Sequence, residues 1–354
     1  MTDALYMARA IQLAKQGRYT TSPNPNVGCV IVKDGQIIAE GWHKQAGQGH
    51  AEVEALKQIN NAQGATAYVT LEPCSHHGKT PPCCDALIRA GVSRVVAAMT
   101  DPNPLVSGQG LAKLQVAGIE VVCGVLEAEA RALNRGFIKR MTTGLPFVRS
   151  KLAMSLDGRT AMASGESQWI TSSESRADVQ RLRAESCAIL TGIGTVLADN
   201  PSLTARVEQE VKQPMRVVLD TQLKTPITAK MATLAGRSII LTCSTDTDKQ
   251  QRLQQARFEV YVLPRLDLSA VLKFLASLQV NELLVEAGAI LNGALLEQNL
   301  IDEFIIYQAP CILGDSGRGL FHLPAMQTMA DKKILKLCDV RQVGTDLKLT
   351  LTAN

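Results

Sequence analysis

Apolar and polar positions alternate in the first part of the chain as strand and helix patterns by turns. VGCVIV (27–32), Asp34-Gly35 and QIIAEG (36–41) predict a β-hairpin, because Asp-Gly tolerates the positive φ of a tight two-residue turn. Val53, Leu56, Lys57 and Ile59 are spaced for a helix from His50 to about Asn60. ATAYVTLE (65–72) predicts a strand, CCDALIRAG (83–91) a helix ended by glycine, and SRVVAAM (93–99) another strand. A helix over 109–117 and the strand IEVVCGV (119–125) continue the alternation, which implies an α/β layer fold with helices on both faces of a sheet. At the start, Ala4, Met7, Ala8, Ile11 and Ala14 form one apolar stripe opposite Gln12 and Gln16. That stripe predicts a folded amphipathic helix, and Arg9 and Lys15 inside it argue against a signal peptide.

Thr142-Thr143-Gly144-Leu145-Pro146 reads as a linker, placing one domain over 1–144 and a second over 145–354. The second opens on the strand FVRSKLAMSL. Further strand patterns fall at 187–192, 215–220, 238–243, 258–263, 282–288 and 303–310, with helices at 174–185, 268–278 and 290–298, again α/β.

Composition narrows the class. The 354 residues are 46% hydrophobic and 20% charged, the balance of a soluble globular protein with room for two cores. A net charge of +4, from 37 basic and 33 acidic residues, is too small and too evenly spread to imply nucleic acid or a membrane surface. No apolar run approaches the ~20 residues that span a bilayer. Nine cysteines, clustered only around 74–84, suit a reducing cytoplasm better than a disulfide framework.

That cluster, LEPCSHHGKTPPCC (71–84), holds three thiols and two imidazoles, a surplus for one zinc site. His50-Ala51-Glu52 makes it interpretable, since zinc deaminases of nucleobases carry H-x-E and a later Pro-Cys, with a glutamate that does not bind metal. Residues i and i+2 of a helix point ~200° apart, so His50 and Glu52 share a site only at a helix start. Cys83 follows Pro81-Pro82 at the head of a helix, where a thiolate is stabilised, while Cys84 is turned ~100° away. The expected zinc ligands are therefore His50, Cys74 and Cys83, with Glu52 as proton shuttle for hydroxide formed near neutral pH. The alternative is a structural zinc knot closed by Cys84, His76 or His77, which has no need of Glu52.

Ser22-Pro-Asn-Pro-Asn-Val-Gly-Cys, His50-Ala-Glu and Thr70-Leu-Glu-Pro-Cys-Ser-His-His-Gly-Lys-Thr-Pro-Pro-Cys-Cys resemble the deaminase half of the bifunctional riboflavin-biosynthesis deaminase/reductases, wide insertion included. KLAMSLDGRTA (151–161), SGESQWIT (164–171), LTGIGTVLADNPSLTAR (190–206) and VEAG (285–288) resemble its reductase half. The resemblance implies a cytidine-deaminase-like three-layer α/β/α domain and a dihydrofolate-reductase-like α/β domain that uses NADPH. It implies that Asn24 meets the pyrimidine and that Lys79 and His76 meet the ribose phosphate. In the second half it implies NADPH contacts from Ala153, Trp169, Thr195, Asp199 and Thr221, and from Gly288, Ala289, Ile290, Leu291, Asn292, Gly293 and Ala294. Ser167, Arg183, Leu203, Arg206 and Glu286 are the implied substrate contacts, and Lys151 and Asp199 the first proton donors to test. From the residues alone, the glycine turn at 288–293 is equally an ordinary strand-to-helix connection, and Trp169, Leu203 and the arginines are equally core or solvated positions.

The expected activity is hydrolytic deamination of a diaminopyrimidine ribosyl phosphate, then NADPH reduction of the sugar, in the cytoplasm. The partner is that small molecule, with neither nucleic acid nor membrane, and a homo-oligomer is compatible with the sequence. Two rivals remain. A nucleic-acid base deaminase, such as a tRNA adenosine deaminase, wants an aromatic-bearing basic surface, and only 4% of residues are aromatic. A zinc-stabilised binding protein would tolerate loss of Glu52. The strands ending at Ala153 and Glu286 are expected to flank one cleft.

Overall fold

A computed structural model describes residues 2–76 and 81–353, and the chain divides into two compact units, Met1–Leu145 and Pro146–Asn354. The first unit runs α1 (Asp3–Ala14), β1 (Gly28–Lys33), β2 (Gln36–Trp42), α2 (Ala51–Leu56), β3 (Thr66–Val69), α3 (Cys83–Arg89), β4 (Arg94–Ala97), α4 (Gln109–Val116), β5 (Glu120–Cys123), α5 (Glu127–Leu133) and α6 (Arg135–Thr143). Its sheet has the order β2-β1-β3-β4-β5, antiparallel about β1 and parallel from β3 to β5. The β1–β2 turn is Asp34-Gly35, both at positive φ (50° and 74°), as the hairpin reading expects.

Period-two alternation of β1 sends Cys29 and Ile31 to one face and Val30 and Val32 to the other. On the first face they meet Ala51 and Ala55 of α2, Cys84 and Leu87 of α3 and Leu114 of α4. On the second they meet Met7, Ala10 and Ile11 of α1 and Ala130 of α5. Helices on both faces make this half three-layered. One contact admits no side chain: a Cβ on Gly41 of β2 would sit 2.4 Å from the Ala51 carbonyl oxygen and 2.5 Å from the Ala55 nitrogen. Strand and helix α2 therefore touch backbone to backbone.

Two local expectations need correction. The α2 helix stops at Leu56, short of Asn60, because the chain then turns through Asn60-Asn61 to Gly64 at φ 75°. The segment before the second unit is helical (α5 and α6), and Thr142-Thr143 end α6 against Gly144 at φ 70°, a left-handed helix stop instead of an open linker.

The second unit continues with β6 (Phe147–Met154), β7 (Arg159–Ala161), α7 (Ser173–Glu185), β8 (Ala188–Gly192), α8 (Ile193–Asp199), β9 (Met215–Leu219), β10 (Ser238–Thr242), α9 (Thr247–Gln255), β11 (Glu259–Val262), α10 (Leu268–Ser277), β12 (Glu282–Val285), α11 (Ala289–Glu297), β13 (Glu303–Gln308), β14 (Arg318–Gly319), β15 (Leu335–Val343) and β16 (Asp346–Ala353). Its main sheet has the order β11-β10-β9-β8-β12-β6-β13-β16-β15. All pairs from β11 to β13 are parallel, and the β16–β15 pair closes one edge antiparallel. The sequence analysis did not mark β15, which is largely exposed, or β16, which is largely half-buried. Val179 and Leu182 of α7, Val196 of α8 and Leu253 of α9 pack with Ile189, Val218 and Leu284 of the sheet. In α10, Val271, Leu272 and Leu275 are fully buried. In parallel strands every carboxyl end opens on the same edge, so β8, β12 and β6, side by side, bring their following residues together.

Candidate active sites

In the first unit, His50 caps α2 in extended backbone (φ −74°, ψ 166°), so its ring leaves the helix axis while Glu52 stands in the first turn. Cys83 is the first residue of α3 after the capping Pro82. These turns bring His50 Nδ1 to 3.2 Å from Cys83 Sγ and 3.5 Å from Cys74 Sγ. The three donor atoms lie within 4.8 Å of one another. Zinc–nitrogen bonds of about 2.0–2.1 Å and zinc–sulfur bonds of about 2.3 Å in a tetrahedron set the N···S edge near 3.6 Å. The donor set therefore fits zinc in size and in chemistry.

The electrostatics fit as well. The Cys83 thiol, hydrogen-bonded to Cys74, lowers the Cys74 pKa; His50 and the Cys83 main-chain N–H, 3.3 Å from the sulfur, assist against burial. Cys74 in turn raises the His50 imidazole. Glu52 is buried at 3% exposure, and burial pushes its carboxyl up to about 7, His50 opposing and Cys74 adding. A carboxyl poised there can both take and return a proton.

Sequence reasoning missed His43. It is buried immediately after β2, its ring edge-on to His50 at 5.4 Å between centroids. Its Nδ1 donates to the Gly49 carbonyl (3.0 Å), which leaves Nε2 to accept from Asn24 Nδ2 (3.1 Å). Burial lowers its pKa, in keeping with a neutral ring. The only signal was a histidine closing the strand that the hairpin pattern predicts. His76 is exposed and lines, with Glu72, Pro73, Cys74, Ser75, Asp101 and Val106, a small pocket beside Cys74. Lys79 and His77 lie outside the described residues. Cys84 is buried, its thiol donating to the carbonyls of Pro73 (3.2 Å) and Gly110 (3.4 Å), so it is no fourth ligand of the trio.

In the second unit Lys151 lies on β6, and Glu286 follows β12 one step beyond the Val285–Ser150 pair, which sets them side by side. Arg183, in the last turn of α7, grips Glu286 with two bonds, Nε to Oε1 at 2.6 Å and Nη2 to Oε2 at 2.8 Å. Burial alone would raise the Glu286 carboxyl; Arg183, with Lys151 and Arg206, outweighs it and holds the pKa below the usual range. Burial, with Arg183 adding and Glu286 opposing, lowers the Lys151 ammonium. Asp199 ends α8 exposed and accepts from Gln168 Nε2 at 3.3 Å. Beside Gln168, the Trp169 ring is 70% exposed, with the Arg176 guanidinium 4.6 Å from its centroid.

The family models and relatives agree on both halves. A RibD C-terminal domain model matches residues 146–349, and a cytidine and deoxycytidylate deaminase zinc-binding region model matches residues 1–99. The riboflavin biosynthesis protein RibD of Escherichia coli is 51% identical over 99% of each chain. The chain belongs to the RibD family. It is accordingly a bifunctional enzyme of riboflavin biosynthesis, with a zinc-binding deaminase domain and an NADPH-using reductase domain. The RibD structure from Acinetobacter baumannii (form 1) superposes with a TM-score of 0.95 at 49% identity, covering 99% of both chains. The diaminohydroxyphosphoribosylaminopyrimidine deaminase/5-amino-6-(5-phosphoribosylamino)uracil reductase from Thermotoga maritima gives 0.90 at 36% identity and the same coverage. Relatives of full length do not favour a nucleic-acid deaminase carrying a binding module.

The residues after β12 form an open strand-to-helix edge. Gly288 caps α11 in extended backbone, with nothing within 4 Å of where a Cβ would stand, and Ile290 is 76% exposed. That opening fits a phosphate-bearing cofactor at a helix start. Asn292 and Gly293 of the same run are buried. Asn292 accepts from Ser150 Oγ (2.7 Å) and donates to the Ala287 carbonyl (2.7 Å). A Cβ on Gly293 would meet the His322 carbonyl oxygen at 2.2 Å. Ala289, Leu291, Ala294, Ala153, Thr195 and Ser167 are half-buried, and Thr221 is exposed. Leu203 is buried in the core at φ 47°, while Arg206 is exposed and donates to Thr204 Oγ1.

Proposed function

We propose that the first unit deaminates 2,5-diamino-6-ribosylamino-4(3H)-pyrimidinone 5′-phosphate and the second reduces the ribosyl group of the resulting aminouracil to ribityl. The observation that carries the first step is a buried Glu52 beside the His50, Cys74 and Cys83 donors. Zinc held by those three supplies the Lewis acidity that lets water ionise near neutral pH. Glu52 takes one proton from the attacking water and delivers it to the ring nitrogen, then takes the second from the new hydroxyl and gives it to the amine, which leaves as ammonia as the C–N bond breaks and the carbonyl forms. Asn24 holds the pyrimidine, and His76 and Lys79 receive the phosphate, a lysine being a point charge suited to it.

In the second step NADPH, when bound, supplies the hydride to the sugar C1′. Lys151 delivers the proton to the sugar oxygen freed as the ring opens, with Asp199 the other candidate donor. Ala153, Trp169, Thr195, Asp199, Thr221 and the 288–294 turn hold the cofactor. Ser167, Arg183, Leu203, Arg206 and Glu286 hold the sugar side, the Arg183–Glu286 pair keeping the Lys151 neighbourhood charged and ordered.

The test follows ammonia release and NADPH oxidation together on the diaminopyrimidine phosphate. Glu52→Gln is expected to abolish ammonia release while zinc stays bound and the deaminated substrate is still reduced. Ammonia at the wild-type rate overturns the shuttle, and NADPH never consumed overturns the reductase assignment.

A further inference from the structure

Glu72 precedes Cys74 by one proline and takes no part in the proton transfers above. It is buried at 5% exposure, and its carboxylate accepts three main-chain N–H bonds. Oε2 accepts from Asp101 (2.9 Å) and Gly108 (2.9 Å), and Oε1 from Gly110 (2.7 Å). Asp101 stands where the chain leaves β4, and Gly108 and Gly110 stand where it enters α4. One side chain thus grips both ends of the loop between them. The Glu72 N–H also donates to the Met99 carbonyl at 2.9 Å. The packing is tight enough that a Cβ on Gly110 would lie 2.0 Å from the Pro73 carbonyl oxygen, which also accepts from the Cys84 thiol.

The gripped loop carries Asp101 and Val106, which face Cys74, Ser75 and His76 across the small pocket. We propose that Glu72 is a positioning residue for the deamination: it holds the 101–108 loop against the Cys74–His76 segment, so that substrate meets a preformed pocket wall. This rests on the deaminase reading above. Only an acceptor-only group with two oxygens can serve three N–H donors at once. In Glu72→Gln one oxygen becomes an NH2 that confronts an amide N–H, leaving a buried donor unsatisfied and one end of the loop released. Glu72→Asp keeps the acceptors on a shorter arm.

Both variants are made in the full chain and assayed for ammonia release, zinc content and NADPH oxidation on the deaminated substrate. Wild-type ammonia release, measured alongside, tests the deaminase reading itself. Glu72→Gln is expected to keep its zinc and its reductase rate while KM for deamination rises at least about tenfold and kcat stays within about threefold. Glu72→Asp is expected to recover part of the lost KM. An unchanged KM in Glu72→Gln overturns the proposal. Loss of zinc in step with activity, in both variants, also overturns it, because Glu72 would then be supporting the ligand loop and not the pocket wall.

Discussion

Arg183→Ala tests the reductase half through a buried ion pair. The Arg183 and Glu286 side chains are only 13% and 12% exposed and share two bonds of 2.6 and 2.8 Å. Removing one partner of such a pair leaves an uncompensated charge and costs about 3–5 kcal/mol. Lys151 and Arg206 still act on Glu286, which argues for the lower end. The sign with pH follows from the carboxylate. Its folded pKa lies below the ordinary value, so the stability it contributes is present above the unfolded pKa of about 4.3 and is lost as pH falls through the folded value. The variant should therefore be weakened most at pH 7, and the gap to wild type should narrow near pH 4. Hydrogen exchange read at β6 and β12 reports that half alone, where about 3 kcal/mol appears as protection reduced roughly a hundredfold. Equal protection in variant and wild type at pH 7, or a gap that is the same at both pH values, would refute the reasoning.

Two further outcomes are expected. Chelation that empties the His50–Cys74–Cys83 site should stop ammonia release while reduction of the deaminated substrate continues, and added zinc should restore the first; ammonia release by protein shown metal-free would contradict it. Lys151 must be protonated to donate, and burial lowers its pKa, so NADPH oxidation should fall with rising pH below the ordinary lysine range of about 10.4. Lys151→Met should remove that alkaline limb together with most of the rate, and a wild-type profile flat to pH 10 would rule the donor out.

What the sequence disclosed depends on how local each signal is. The hairpin was legible because Asp34-Gly35 is a two-residue signal, and the zinc donors because His50, Cys74 and Cys83 each sit at a turn or helix head marked by proline or a motif. The α9 helix escaped notice because Leu253 is its one apolar residue and the helix is largely solvated. β16 went unread although Leu347, Leu349 and Leu351 alternate with polar residues, and β15, on the sheet edge, is largely exposed. The role of His43 was invisible for a different reason: its partners, Asn24 and the Gly49 carbonyl, are brought to it by the fold, and neither bond leaves a trace in spacing. Arg183 and Glu286 were each expected at the substrate, yet the structure spends them first on each other across 103 positions of chain, a pairing no window along the sequence can see.

The bare contact at Gly41 restricts what heredity can do with the deaminase half. The helix that carries Glu52, and that His50 caps, lies directly on that glycine, while Cys74 and Cys83 are mounted on separate segments. A methyl group at position 41 would lever His50 and Glu52 away as a unit and split the donor set along a seam. Gly28 of β1 is bare in the same way on the opposite face, where a Cβ would sit 2.0 Å from the Ala10 carbonyl oxygen of α1. A side chain at position 41 therefore strikes at the placement of the site itself, since the backbone it would meet belongs to the helix that carries Glu52.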